Sequence, residues 1–414
     1  MLHSYISGAE EDSSLASRVS EEFFKQVHDF KTIRIVFYPS LENYIASSIL
    51  LKTLSLSDIE VIIHPTLRDD EKLDEPVLVL GFNNRTNIMA PYILQIDKNK
   101  RISENLGRGR RIGIFSSYPA FIARMLENNI VITDETLILS VLVSVGRGNI
   151  KGIDYDYISK LVEKKIVEQY DAALKIYEWH RKPLCDALSL TIEPFIPGIS
   201  GRKDNCISAL TGEGIKIIDN KGNYRKILDL SEGELKRMVN LIYNIISSKS
   251  KIKIEINEIV SKTYVVLKED FVGATDMRFL YQVMLYTSET EGPEYIVASS
   301  LNKLYMAYIS GLYEENVPRY AQEINQIIRS NPKETEKTVI VNVNNVLPPS
   351  LVSSILRIYH NISGKPVIVC TESKCIVSLE DLLQRNYRIR NVEEKINGLI
   401  IEAENHESLE EIIY

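Results

Sequence analysis

The chain has 414 residues, 44% of them hydrophobic and 25% charged, and a formal net charge of −7. That length exceeds one simple core, so two domains or more are expected, and the composition is that of an ordinary globular protein. The acidic balance excludes a generally basic nucleic-acid coat but leaves room for a local basic groove.

The first residues, MLHSYISGAEEDSS, lack the basic start and apolar stretch of a signal peptide. Glu10, Glu11, Asp12, Glu21 and Glu22 read as a solvated face or as a surface for a basic partner. Residues 33–37 are a short apolar run rich in β-branched side chains, which predicts a buried parallel strand stopped by Pro39. Ala46, Ile49, Leu50 and Leu54 then recur at helical spacing. The loop between strand and helix holds no glycine, so it is not a phosphate-cradling loop of the Walker or Rossmann type. PVLVLGF (76–82), YILQID (92–97) and RRIGIF (110–115) predict three further strands, and SYPAFIARMLENN (117–129) a helix with serine and proline at its start. The longest apolar runs, such as 137–145, fall far short of the roughly 20 residues that span a bilayer. No membrane partner and a cytoplasmic location are therefore expected.

Residues 153–182 read as a long charged helical stretch ending near Trp179 and His180. Residues 184–201 break regularity with Pro194, Pro197 and Gly198. Ser231 with Glu234 three residues on predicts a capped helix over SEGELKRMVNLIYNIISS. TVIVNV (338–343), a helix and KPVIVC (365–370) predict a β-α-β unit, and Asn397-Gly398 a hairpin turn. The whole predicts an α/β protein of two lobes: a mainly parallel sheet flanked by helices over 1–150, a helical connector over 151–250, and a smaller α/β domain over 251–414. His180 and His360 are expected at helix ends in structural roles. Four cysteines do not make a disulfide framework, and Cys370 and Cys375 read as inert or reducible thiols.

The strand, loop and helix of residues 33–54 resemble the first motif of the DHH phosphoesterases, the RecJ-like nucleases and their relatives. That family carries Asp-x-Asp-Gly in the loop; here the positions are Ser40, Leu41, Glu42 and Asn43. Where the family ends its second strand with a metal-binding aspartate, this chain has Gly81. In place of Asp-His-His it has Asp97, Lys98 and Asn99. SVLVSVGRGNI (140–150) is similar to the segment that supplies a last aspartate, near Gly146, Gly148 and Asn149. LCDALSLTIEPFIPGISG (184–201) resembles the interdomain connector of archaeal RecJ-like proteins. The resemblance implies a DHH-type domain followed by a DHHA-one-type domain, whose Gly-Gly-His signature is missing.

Two-metal phosphodiester hydrolysis needs a cage of carboxylates and imidazoles. Of the matching positions only Asp97 is retained, with Glu42 as a substitute, and Lys98 would place a cation where a metal should sit. The expectation is no metal, no cofactor and no catalysis. The degenerate motifs are similar to the inactive branch of the family, that of cell division control protein 45. That branch joins the MCM motor and the GINS complex in the CMG replicative helicase. The resemblance implies a non-catalytic archaeal helicase subunit bridging GINS and MCM, with single-stranded DNA as a further ligand. The alternative is a metal-dependent single-strand exonuclease or small-nucleotide phosphoesterase with relocated ligands. Lys98, Lys100, Arg101, Arg108, Arg110 and Arg111 form a basic cluster after the third strand. It reads either as a DNA-phosphate contact or as a solvated loop.

Overall fold

The structure, a computed structural model, describes residues 2–82, 84–98, 102–385, 387, 389 and 396–413. Its first part runs α1 (Leu2–Phe30), β1 (Thr32–Phe37), α2 (Leu41–Leu54), β2 (Glu60–Pro65), β3 (Val77–Leu80), β4 (Ile93–Lys98), β5 (Ser103–Asn105), β6 (Gly109–Ile114), α3 (Tyr118–Glu127), α4 (Asp134–Gly146) and α5 (Ile153–Glu163). The strands form one sheet in the order β2-β1-β3-β4-β6-β5. All neighbours in it are parallel except β5 and β6. The apolar runs explain this choice, because a parallel strand covered by helices needs both faces hydrophobic. All four residues of β3 are buried.

The chain continues with β7 (Val167–Leu174), α6 (Leu184–Ser189), α7 (Lys203–Gly212), α8 (Glu232–Ser247), β8 (Val260–Val266), α9 (Met277–Thr290), α10 (Glu294–Leu301) and α11 (Lys303–Arg329). Then come β9 (Lys333–Glu334), β10 (Val339–Asn342), α12 (Pro349–His360), β11 (Val367–Cys370), β12 (Cys375–Ser378), α13 (Leu379–Gln384), β13 (Ile396–Asn397), β14 (Ile400–Ala403) and α14 (His406–Glu410). The second sheet has the order β13-β14-β12-β11-β10-β9, in which β10 and β11 are parallel. The β-α-β unit and the Asn397-Gly398 hairpin are both present, with Gly398 in the left-handed region that this turn requires. Ser231 and Glu234 form the expected capping box of α8. One hydrophobic core runs from Ala16 to Ile400, and a smaller cluster around Ile368, Val377 and Ile401 closes the second sheet.

Four expectations are corrected. Residues 153–182 are not one helix: α5 ends at Glu163, and β7 pairs antiparallel with β8, Val167 opposite Val266. That partner lies far along the chain, so local propensity could not reveal it. The connector region is thus only partly helical, and His180 sits in a turn rather than at a helix end, its ring nitrogen bonded to Thr275 Oγ1. Asp12 is not part of a solvated face: α1 buries a stripe of Ala16, Val19, Phe23 and Val27, and carries Asp12 onto the backbone N–H groups of Phe115 and Ser116. Cys370 and Cys375 form a disulfide, because β11 and β12 pair these two residues directly across the strands.

Candidate functional site

Parallel strands deliver their loops to one edge of a sheet, so the carboxyl ends of β1, β3 and β4 converge. Here they meet the start of α3, the end of α4 and the start of α5. The result is a cavity of about 270 Å³ whose polar lining includes Ser40, Glu42, Lys98, Arg147 and Asp154. The strand-loop-helix frame is held locally. Ser40 caps α2 by accepting from the N–H of Asn43 at 3.3 Å, and Asn43 Nδ2 donates to the Tyr38 carbonyl at 2.8 Å.

Glu42 is the electrostatic centre. It is only 4% exposed. Lys98 Nζ lies 2.6 Å from Oε1, the Tyr118 N–H donates to the same oxygen at 2.9 Å, and Arg147 Nη1 donates to Oε2 at 2.9 Å. Burial alone would raise its pKa. The two cations and the backbone donor outweigh burial and hold it down at about 2. Arg147 also donates to Glu380, a buried carboxylate on α13, the helix that follows β12 of the second sheet. One guanidinium therefore bridges the first turn of α2 and α13, reaching 105 positions back to Glu42 and 233 positions on to Glu380. Lys98 rests over the Tyr118 ring at 4.8 Å, a cation–π contact that further fixes its ammonium group.

Asp154 is the second carboxylate of the cavity. It accepts from the Ser117 N–H at 2.7 Å and the Ser117 hydroxyl at 2.5 Å. Burial nevertheless pushes its pKa up to about 6. Asp97 is fully buried and bonded to Arg111 Nε at 2.6 Å and Gln95 Nε2 at 3.1 Å. Gly81 has φ of 81°, and a Cβ there would lie 2.3 Å from Asn43 Nδ2, so Asn43 fills the space an aspartate at 81 would need.

The structure thus brings Ser40, Glu42, Gly81 and Lys98 together, and turns Asp97 into an ion pair with Arg111. Asn99, Lys100 and Arg101 lie outside the described residues. The basic cluster is corrected in part. Arg111 is buried against Asp97, and Lys98, though partly exposed, is paired with Glu42. Arg110 is exposed and pairs with Glu22 at 2.7 Å, and Arg108 is exposed. Sequence reasoning missed Arg147, Asp154 and Glu380. A lone arginine ending the apolar run of α4 was the available signal for Arg147; Asp154, in the first turn of α5, and Glu380 gave none.

The metal pair implied by the DHH resemblance does not fit these side chains. Both oxygens of Glu42 accept from cations, Asp154 is bonded to Ser117, and Lys98 and Arg147 occupy the loop mouth. A divalent ion would have to displace two internal cations against their repulsion. Among the described residues, no three His, Cys, Asp or Glu side chains converge to hold a metal.

Comparison with known proteins bears on this site. A family model described as archaeal Cdc45 matches residues 112–388. No curated protein sequence matches the chain. The crystal structure of Cdc45 from Entamoeba histolytica superposes with a TM-score of 0.57 at 9% identity, covering 96% of this chain and 97% of that one. RecJ in complex with Mn²⁺ from Thermus thermophilus gives 0.41 at 10% identity, over 98% of this chain and 53% of the other. An exonuclease RecJ bound to manganese gives 0.40 at 11% identity, over 90% and 82%.

Proposed function

The chain belongs to the archaeal Cdc45 family, and from that premise we propose that it serves a replicative helicase as a non-catalytic subunit bridging GINS and MCM. Membership carries the replication-associated role. The observation that carries the absence of catalysis is the clamp on Glu42: Lys98 and Arg147 neutralise it with fixed charges where a nuclease would use metal ions. Arg147 then extends the clamp to Glu380, so the former reaction site serves to hold two parts of the molecule together.

A protein kept for its surfaces should present one to a partner. The N-terminal half of α11 carries Leu304, Tyr305 and Tyr308 at 67%, 44% and 50% exposure, with Leu301 just before it. Tyr295 stacks on Tyr308 with ring centroids 5.9 Å apart. Large exposed aromatic and aliphatic side chains in one cluster are the composition of an interface core. We assign GINS docking to this face. Strand contact, if left to the basic segment, falls among the described residues to Arg108 and Arg110.

The test is co-elution. The purified protein and GINS from the same organism should elute as one complex on size exclusion at micromolar concentration, and Tyr308→Asp should separate them. Independent elution of the wild-type proteins would remove the replisome assignment.

A further inference from the structure

A second cavity, of about 570 Å³, lies between the 197–202 turn, the end of α8 and the last turns of α11. Its charged lining is Arg202, Lys249 and Arg329, and no carboxylate lines it. All three cations are exposed, and among the described residues none lies within ion-pair distance of a carboxylate. This sets them apart from Lys98, Arg110, Arg111 and Arg147, each of which has an acidic partner. In a chain of net charge −7, three unpaired cations around one cavity concentrate positive potential there.

Helix dipoles do not account for the set. Lys249 and Arg329 sit at the carboxyl ends of α8 and α11, where a cation is favoured. Arg202 is the N-cap of α7, where the dipole opposes it. Amides complete the wall. Gln326 accepts from Asn344 Nδ2 through Oε1, which leaves its Nε2 to donate, and Gln322 is exposed beside it.

We propose that this cavity binds the phosphodiester backbone of single-stranded nucleic acid. Three cations on three separate elements suit an extended polyanion better than a single phosphate, which is held by donors converging on one point. No aromatic residue lines the cavity, so there is no platform for base stacking and contact is independent of sequence. The proposal deepens the strand-contact part of the function above and rests on it for the choice of ligand.

The experiment is fluorescence anisotropy of the full chain with a labelled oligothymidylate over a salt series. It compares wild type, the triple variant Arg202→Gln, Lys249→Gln, Arg329→Gln, and the double variant Arg108→Ala, Arg110→Ala. Each lost phosphate contact on a single strand removes about 0.7 from the slope of log affinity against log salt, so the triple variant should flatten it by about 2. Exposed charges contribute little to stability, and a thermal melt verifies that the triple variant is folded. A triple variant with the wild-type slope would overturn the cavity assignment while leaving strand contact standing. Wild-type protein that fails to bind the oligonucleotide at low salt would overturn both. Competition by inorganic phosphate or a mononucleotide as effective, per phosphate, as that by unlabelled oligonucleotide would show a small-anion site and refute the strand assignment.

Discussion

Replacing Glu42 by glutamine removes one charge from a buried three-part cluster and leaves its shape. The carboxylate is held at about 2 rather than the ordinary 4.5. At about 1.4 kcal/mol per pH unit, that difference corresponds to roughly 3 kcal/mol of folding stability. Breaking a buried pair from one side costs about 3–5 kcal/mol, and the low end applies here. Lys98 and Arg147 keep 26% and 29% of their side-chain surface exposed and can turn toward water. Because the folded pKa is depressed, the contribution is fully present above about pH 4.5 and is lost as pH falls through about 2. Glu42→Gln should therefore be destabilised by roughly 3 kcal/mol at pH 7, and the gap to wild type should shrink to about half by pH 3. Urea unfolding of both proteins at several pH values measures it. A gap below about 1 kcal/mol at pH 7, or one that stays constant down to pH 3, would refute the clamp.

Other substitutions probe other parts of the account. Asp154 has a raised folded pKa, so its ionisation weakens the folded state progressively between about pH 3.8 and 6; the stability of Asp154→Asn relative to wild type should improve as pH rises through that window in a denaturation series. Gly81→Asp restores a ligand type but meets Asn43 and a positive φ, so it should cost about 1–3 kcal/mol in urea unfolding and gain no manganese by elemental analysis. Leu304→Asp and Tyr308→Asp should abolish GINS co-elution; Leu304→Asp should change stability by less than about 0.5 kcal/mol because its side chain is largely in water, and Tyr308→Asp should cost about 1 kcal/mol through the lost ring stack with Tyr295.

The parallel sheet was legible because β3 is an unbroken apolar run and β1 and β4 are largely apolar and buried, and the cap of α3 because Ser117 and Pro119 stand at its start. Strand β2 is hard to see because it is a half-exposed edge strand ending at Pro65, with too little apolar content to stand out. Strand β7 reads as helix because EQYDA carries charge at every face and its only support is β8, almost a hundred residues away. The same distance rule divides the site. Ser40, Glu42, Gly81 and Lys98 sit in the frame of one recurring strand-loop motif and could be found by position. Arg147 reaches Glu42 and Glu380 only after α4 and α13 have packed, and no spacing in the chain announces that. Arg110 and Arg111 are adjacent in sequence, yet strand alternation sends one to solvent and the other onto Asp97. Sequence proximity therefore overstated the basic cluster, and the cations of the second cavity, spread from 202 to 329, did not register as a cluster at all.

The central claim is that fixed cations have replaced metal chemistry at the Glu42 site. Its most direct test is a single-strand degradation assay with added manganese, run beside elemental analysis of the purified protein. The account predicts no manganese-dependent degradation and no stoichiometric bound metal. Degradation of single-stranded DNA that requires manganese and is abolished by Asp97→Ala would contradict it.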